Sequence, residues 1–254
     1  ADGGWTAELD VATGDVLRLT APDGRVVEGG AESLLGYRHE SYDWAALQTH
    51  LDSYLQHRQE WAILDHDKPG LAKAKTARNA CFRPSHLGIA AAGQGAVAQM
   101  PGEAHAQLGA PARVEWRLRG LDDKRVEVSL VLRDKPANRM PEAGFLSLTP
   151  AGGAEWHLRK MGLWNDSGNI VTAGGGQLQA IEAARGGPLC IIPLDCALVA
   201  PAASPFMPFQ PEQPDFSAGL RFNLYNNKWG TNFPMWWEGS MMFRFVVEMD
   251  ASQP

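Results

Sequence analysis

The sequence predicts an all-β protein made of large antiparallel sheets with one amphipathic helix. Short segments in which apolar and polar residues alternate recur along the chain, and turns rich in glycine, proline and aspartate separate them. The regular exchange of helices and strands that a doubly wound sheet requires is missing from the sequence. The length of 254 residues suits one large β domain or two small ones. Strand patterns resume directly after an extended, proline-rich connection at residues 201–214, so we expect residues 1–254 to form a single domain.

The first part of the chain predicts a β-meander followed by the helix. Residues 5–27 carry three short strand patterns with turns between them. The helix is expected over about residues 42–58, because apolar residues recur there on one helical face. Those residues are Trp44, Leu47, Leu51, Tyr54 and Leu55. Ser41 or Asp43 can cap the start of the helix.

Strand patterns dominate the rest of the chain. The strongest hairpin signal lies at residues 113–119 and 125–132, where apolar residues alternate with polar ones and a short polar turn intervenes. Trp116 belongs to the apolar set, so we expect it to face inward on a central strand. Further strands are expected at residues 144–149, 155–161, 177–183, 189–194, 220–225 and 241–249.

Charge and cysteine content limit the classes of partner. The net charge of −6 argues against nucleic acid and anionic membrane as partners, because both attract a positive surface. No apolar run approaches the roughly 20 residues of a membrane-spanning helix. Cys81, Cys190 and Cys196 have neither zinc-site spacing nor an even number, so we predict no metal site, and reduced thiols in the cytoplasm are the simplest account.

No cofactor is predicted. Residues 93–98 match the G-x-G-x-x-A pattern of a dinucleotide site and follow a strand-like run. The pattern needs a long helix after it, whose N-terminus holds the pyrophosphate. Pro101 and Gly102 should interrupt such a helix almost at once, so we interpret the match as accidental.

An aromatic loop at residues 226–238 is the most informative segment. It combines flat rings with neutral hydrogen-bonding side chains, which is the mixture that recognises sugars. The predicted ligand-binding residues of the loop are Asn226, Asn227, Trp229, Thr231, Asn232, Trp236 and Trp237. Lys228 is its only basic residue, which again argues against nucleic acid. The alternative is that these rings close one end of the hydrophobic core.

A second candidate contact lies at a predicted turn. Trp164 stands directly before Asn165 and Asp166, in a segment whose composition is typical of a loop tip. A tryptophan placed there resembles a platform that faces a ligand. We therefore add these three residues to the predicted ligand-binding set.

Four residues are weak candidates for catalysis. His39 adjoins Glu40, and His66 lies between two aspartates, so each imidazole has a carboxylate that tunes its proton affinity. Asp195 stands in an apolar run at residues 189–199, where a buried carboxylate must be paired or functional. We expect Asp195 to accept hydrogen bonds from Asn165 or from the Asn226–Asn227 pair at the rim of a sugar cleft; the alternative is that it caps nearby backbone amides.

Four segments resemble one little-characterised family. Residues 65–70, 161–164, 192–199 and 223–234 are similar to the C-terminal half of a domain of unknown function, numbered 5054, which is related to the family 38 glycoside hydrolases of the α-mannosidase class. The similarity covers nearly the whole chain. Its most specific part is the Asn-Asn-x-Trp-Gly-Thr-Asn-Phe motif that starts at Asn226.

The resemblance implies a galactose-mutarotase-like super-sandwich. In such enzymes the zinc ion and the nucleophilic aspartate belong to an α/β barrel that precedes the sandwich, and we expect no such barrel within residues 1–254. The resemblance also implies that this chain is part of a longer protein and contributes to a carbohydrate-binding cleft without carrying the bond-breaking groups. Residues 174–179 depart from the family pattern, since they lack the expected Gly-Asn-Arg and the histidine after it.

Two other functions stay open. One is a self-sufficient sugar epimerase, mutarotase or lyase, in which His39, Glu40, His66 or Asp195 would transfer protons. The other is a structural module whose aromatic loop docks on a catalytic domain or on a second copy of the chain.

Overall fold

The protein is a β-sandwich of two antiparallel sheets, each with nine strands in the residues that the structure describes. The computed structural model describes residues 2–30, 33–62, 68–89, 95–170, 179–228, 230 and 235–249. The predicted all-β class is confirmed. In the described part of the chain, neither of the two α-helices is long and apolar enough to cross a membrane.

The α-helices in the described residues are α1 (Trp44–Tyr54) and α2 (Gly102–Leu108). The strands are β1 (Thr6–Leu9), β2 (Val16–Thr20), β3 (Val26–Glu28), β4 (Leu35–Ser41), β5 (Ala80–Phe82), β6 (His86–Ile89), β7 (Gly95–Gln99), β8 (Arg113–Gly120), β9 (Arg125–Lys135), β10 (Glu142–Leu148), β11 (Trp156–Lys160), β12 (Leu163–Asp166), β13 (Gln179–Ala180), β14 (Ala183–Gly186), β15 (Leu189–Pro193), β16 (Leu198–Pro201), β17 (Leu220–Asn226) and β18 (Gly239–Met249).

The order of strands places distant parts of the sequence side by side. The first sheet runs β1-β2-β4-β10-β17-β16-β13, with β3 beside β2 and β5 beside β4. The second runs β12-β11-β14-β15-β18-β9-β8-β7-β6. The main core lies between the sheets and takes large side chains from both, among them Trp5, Tyr37, Trp116, Phe222 and Phe245.

The predicted hairpin is β8 and β9. Trp116 pairs in register with Leu130 on β9 and with Ala96 on β7, so it lies on an interior strand of the second sheet. Its side chain is 2% exposed. The inward assignment from the alternating pattern is therefore confirmed.

Helix α1 covers the outer face of the first sheet. It is shorter than predicted, and Asp43 caps its start by accepting a hydrogen bond of 2.9 Å from the backbone N–H of Ala46. Leu47 and Leu51 are fully buried in a second hydrophobic cluster with Phe145. This cluster lies on the side of the sheet opposite to the main core.

Helix α2 is not predicted from the sequence. The Pro101-Gly102 pair, which we expected to interrupt a helix, instead begins one, because proline is tolerated where no intrahelical N–H bond is needed. Gly109 ends the helix with a φ of 81°, a left-handed conformation that favours glycine. Residues 95–98 of the G-x-G-x-x-A match lie on β7. Residues 93 and 94, the start of the match, lie outside the described residues.

Alternation along β4 divides its side chains between two environments. Tyr37 and His39 point into the sandwich, where they contact Tyr225. Arg38 and Glu40 point to the outer face, because successive side chains of a strand alternate. The Arg38 guanidinium lies over the ring of Phe145 in the second cluster.

Candidate functional site

A cavity of about 680 Å³ opens on the outer face of the first sheet. Strands β4, β10 and β17 form its floor, and the segment 202–207 contributes to its wall. Six of its lining residues bear on its chemistry: Arg38, Glu40, Tyr42, Ser147, Phe206 and Arg221. We call it the outer cavity. Of the predicted site residues, Glu40 is among those that line it.

Glu40 is held between two neighbours. Its Oε1 lies 2.7 Å from the Nε of Arg38, and its Oε2 accepts a hydrogen bond from the hydroxyl of Tyr42. Burial and the adjacent carboxylate both raise the pKa of Tyr42, so the phenol keeps its proton and donates. Both carboxylate oxygens of Glu40 thus contact side chains at the C-terminal end of β4 or directly after it.

Arg221 is the most unusual side chain of the outer cavity. It is only 1% exposed, and its Cζ lies 4.5 Å from the ring centroid of Phe145. Its Nε and Nη2 are buried and have no hydrogen-bond partner among the residues that the structure describes. Burial, and then the like charge of Arg38, lower its pKa to about 10, while Glu40 opposes the change. The guanidinium therefore stays charged at neutral pH.

His39 lies on the other side of the sheet, inside the sandwich. Its Nε2 is 2.8 Å from the carbonyl oxygen of Leu108, which can only accept, so Nε2 carries the proton. Its Nδ1 then accepts from the hydroxyl of Tyr225 at 2.9 Å. Burial lowers its pKa to about 3. His39 is neutral and fully buried, and both of its ring nitrogens have hydrogen-bond partners. Although it is next to Glu40 in the sequence, it does not face the outer cavity.

A buried ion pair adjoins His39. Lys135 Nζ lies 2.6 Å from Glu142 Oε1, and Asn138 donates to Glu142 Oε2 at 3.0 Å. Burial raises the pKa of Glu142 to about 7, and Lys135 opposes that rise. Together Tyr37, His39, Lys135, Glu142 and Tyr225 form what we call the interior polar network. Sequence patterns do not indicate it, since its members come from four strands.

The described part of the aromatic loop lies over this network. Trp237 meets the ring of Tyr225 edge-on, with centroids 5.7 Å apart, and Lys135 lies over its face. Asn227 is buried, accepts from the N–H of Glu142 and donates to the carbonyl of Asn138. For Trp237 and Asn227 these contacts correspond to the alternative in which the loop closes the core.

The other loop residues are placed as follows. Trp236 is half-buried under the guanidinium of Arg139, whose Cζ lies 5.1 Å from the ring centroid. Asn226 donates to the side chain of Asn223 at 2.6 Å. The remaining predicted site residues, Trp229, Thr231, Asn232 and His66, lie outside the described residues.

Trp164, Asn165 and Asp166 lie on β12, at the edge of the second sheet. Arg185 covers the ring of Trp164, with its Cζ 4.3 Å from the centroid, and also lines a second cavity of about 620 Å³. Asn165 donates to the carbonyl of Leu163, and Asp166 accepts from the N–H of Gly168. The structure does not bring these three residues to the outer cavity.

The expectation for Asp195 is wrong in its burial and in its asparagine partners, whereas the alternative, that it caps a backbone amide, holds for the N–H of Arg244. Asp195 follows the end of β15 and is partly exposed rather than part of a buried strand. Its carboxylate accepts from the N–H, Nε and Nη2 of Arg244, not from Asn165 or the 226–227 pair. This ion pair lowers the pKa of Asp195. The partner is invisible in the sequence, because β18 lies beside β15 only in the folded sheet.

Arg221 carries a signal that sequence reasoning missed. It is a charged residue in a strand whose neighbours on both sides are apolar, and a buried charge in such a run must be paired or functional. Residues of the outer cavity come from strands far apart in the chain, so their meeting needs the fold. Within the described ranges, no group of three or more His, Cys, Asp and Glu side chains is placed to hold a metal ion.

The fold and the outer cavity define a β-sandwich protein with a charged pocket on the outer face of one sheet. Residues 2–128, half of the chain, match the family described as domain of unknown function (DUF5054), and the chain belongs to this family. Of the four segments that resemble this family, the matched part contains the one at residues 65–70. It also contains β4. The other three segments lie beyond it. No curated protein matches the sequence.

Proposed function

We propose that the chain is the carbohydrate-binding β-sandwich part of a glycoside-hydrolase-like protein, related to the family 38 class and galactose-mutarotase-like in fold. It shapes a sugar site. The groups that break the glycosidic bond belong to its partner, an N-terminal barrel domain. The observation that carries the proposal is the outer cavity, in which Glu40, Arg38 and Tyr42 converge beside an aromatic wall.

The lining of this cavity suits a sugar. Sugars present hydroxyls that need both donors and acceptors, and ring faces that pack on apolar side chains. Arg38 supplies donors, Glu40 supplies acceptors, the hydroxyl of Ser147 supplies both, and Phe206 provides an apolar surface. The hydroxyl of Thr149 donates to the carbonyl of Ser33, so it offers a ligand an acceptor only. Its volume falls within the range of about 300–1,000 Å³ that is usual for small-molecule sites.

The same lining supports a binding role rather than glycoside cleavage. Most glycosidases use two carboxyl groups, one on each side of the scissile bond. Among the described residues that line the outer cavity, Glu40 is the one carboxylate, and both its oxygens are engaged. We therefore expect the purified chain not to release the aryl group from aryl α-mannosides, with or without added zinc.

A binding screen tests the proposal. A glycan array, followed by calorimetry on the best monosaccharides, should show saturable binding by the parent chain. Ser147→Ala, which removes a hydroxyl from the cavity lining, should weaken it. Arg117→Ala, which removes an exposed arginine on the second sheet, serves as the control and should leave it unchanged. Absence of binding to every neutral and acidic sugar tested would refute the proposal.

Glu40 favours a second candidate function, a sugar epimerase or mutarotase. Of the three predicted catalytic residues that the structure describes, Glu40 lines the outer cavity, whereas His39 is enclosed and Asp195 pairs with Arg244. Polarimetry on freshly dissolved α-anomers separates the two functions. Accelerated mutarotation that Glu40→Gln abolishes would favour the enzyme, and an unchanged rate with sugar binding would favour the binding module.

A further inference from the structure

The outer cavity has an unbalanced charge. Arg38 and Arg221 both lie over the ring of Phe145, with Cζ-to-centroid distances of 5.5 and 4.5 Å. Glu40 is the one carboxylate among the described lining residues, and Arg38 and Tyr42 already engage its two oxygens. The cluster therefore carries a net charge of +1, and it is Arg221 whose charge is not matched by a bound carboxylate.

The burial of Arg221 makes that imbalance costly. Removing a guanidinium from water without giving it partners is strongly unfavourable. Contact with the face of Phe145 offsets only part of this cost, because a cation–π contact is weaker than the hydration that the guanidinium loses. The Nε and Nη2 donors have no partner in the described part of the chain. Arg221 lines the outer cavity, and its buried Nε and Nη2 are donors that no described residue satisfies.

The size of the charge and the shape of the donors select the ligand. Guanidinium groups present parallel N–H donors that match a carboxylate. A carboxylate carries one negative charge and so neutralises the cluster. A phosphate monoester carries about −1.5 to −2 charges near neutral pH, which would leave excess negative charge beside Glu40.

We propose that the outer cavity binds an acidic sugar of the hexuronate class, with its carboxylate on Arg221 and Arg38 and its hydroxyls toward Ser147 and Thr149. The sugar part of this inference rests on the proposed function. The carboxylate part rests on the buried Nε and Nη2 of Arg221, which have no partner among the described residues, and on the charge of the cluster.

Calorimetric titration of the full chain tests the two parts separately. The probes are glucuronate and galacturonate, the neutral sugars glucose and galactose, acetate as a carboxylate without a sugar, and glucose 6-phosphate. The uronate of matching stereochemistry should bind at least about tenfold more tightly than each other probe, as the loss of a charge-assisted pair implies. Arg221→Met should weaken uronate binding by at least about tenfold, whereas Arg117→Met, an exposed arginine on the second sheet, should not.

A melting curve of Arg221→Met tests whether the variant is folded. Because the change removes a buried charge whose Nε and Nη2 have no partner in the described part of the chain, its melting temperature should equal or exceed that of the parent. If the variant does not fold, a crystal structure of the parent with the uronate decides, since the carboxylate must lie on Arg221.

Each contrary result has a distinct meaning. Equal binding of neutral and acidic sugars would overturn the carboxylate inference and leave the proposed function intact. Equal binding of acetate and uronate would overturn the sugar part, and tighter binding of glucose 6-phosphate would overturn the choice of a monoanion. Failure of every sugar to bind would overturn this inference and the proposed function together.

Discussion

Lys135 and Glu142 form an ion pair of 2.6 Å between side chains that are 0% and 2% exposed. Lys135 ends β9 in the second sheet and Glu142 begins β10 in the first, so the pair connects the two sheets at one end of the sandwich. Asn138 and the carbonyl of Pro136 complete its hydrogen bonds. A buried pair of this kind is stable only while both partners are present.

Replacing Lys135 by Met should therefore destabilise the protein by about 3–5 kcal/mol, because Glu142 would be left buried without its counter-ion. Chemical denaturation of the parent, Lys135→Met, Glu142→Gln and the double variant gives the coupling between the two groups. The exposed pair Arg113–Asp134 provides the control, and Asp134→Asn should cost at most about 1 kcal/mol. Equal costs at both sites would contradict the role assigned to the buried pair.

Asp15 should give the protein a pH-dependent stability. Burial raises its pKa to about 6, although hydrogen bonds from the N–H of Tyr37 and from Ser33 oppose the rise. The folded state thus holds the proton more tightly than the unfolded state, whose pKa is about 3.9. The contribution of Asp15 is present below pH 4 and is lost as pH rises to about 6. Relative to Asp15→Asn, the parent should lose roughly 2–3 kcal/mol across this window.

Urea denaturation of both proteins between pH 4 and pH 8 measures this difference. Asp195→Asn is the matched control with the opposite sign, because Arg244 lowers the pKa of Asp195. That carboxylate should contribute stability at neutral pH which is lost as pH falls through its folded pKa. Parallel curves for parent and Asp15→Asn would show that Asp15 is not desolvated.

Sequence patterns predict the parts of this fold that depend on local periodicity. The hairpin of β8 and β9, the inward position of Trp116 and the Asp43 cap all follow from neighbours within a few residues. The candidate site is predicted only at Glu40, because the rest of the outer cavity depends on strand order. Arg38, Ser147 and Arg221 meet since β4, β10 and β17 are adjacent in the first sheet.

Asp195 shows why burial is harder to predict than strand position. Its apolar run suggests a strand buried on both faces, but β15 ends at Pro193 and Asp195 emerges beside Arg244 on β18. His39 shows the opposite error, because the sequence makes it a candidate for catalysis and it is instead fully buried. It adjoins Glu40 in the sequence, yet alternation along β4 sends the two side chains to opposite faces of the sheet.

Trp116→Ala should destabilise the protein by about 3–5 kcal/mol, because a large buried ring on an interior strand leaves a cavity when truncated. Arg117→Ala is the control, since its side chain is about half exposed and lies on the other face of the same strand. Guanidinium denaturation measures both. A loss below about 1 kcal/mol for Trp116→Ala would mean that the surrounding core collapses to fill the space.

Gly144 and Tyr225 lie opposite each other on β10 and β17, next to a register shift between Gly144 and Phe145. A Cβ atom added at Gly144 would come within 2.2 Å of the Tyr225 ring, so Gly144→Ala forces that ring to move. The Tyr225 hydroxyl also holds His39 and Tyr37 at 2.9 Å, and displacement of the ring breaks both hydrogen bonds. We expect a loss of about 1–3 kcal/mol or more from overpacking.

A double-mutant cycle identifies the Tyr225 ring as the cause. In the Tyr225→Ala background the space beside Gly144 is empty, so Gly144→Ala should cost much less than in the parent. Gly102→Ala is the control, because a Cβ atom there meets nothing within 4 Å and alanine suits the first turn of α2. That change should leave stability unchanged or raise it by about 1 kcal/mol. If Gly144→Ala costs the same with and without the ring, the penalty arises from the backbone at the register shift and not from the contact with Tyr225.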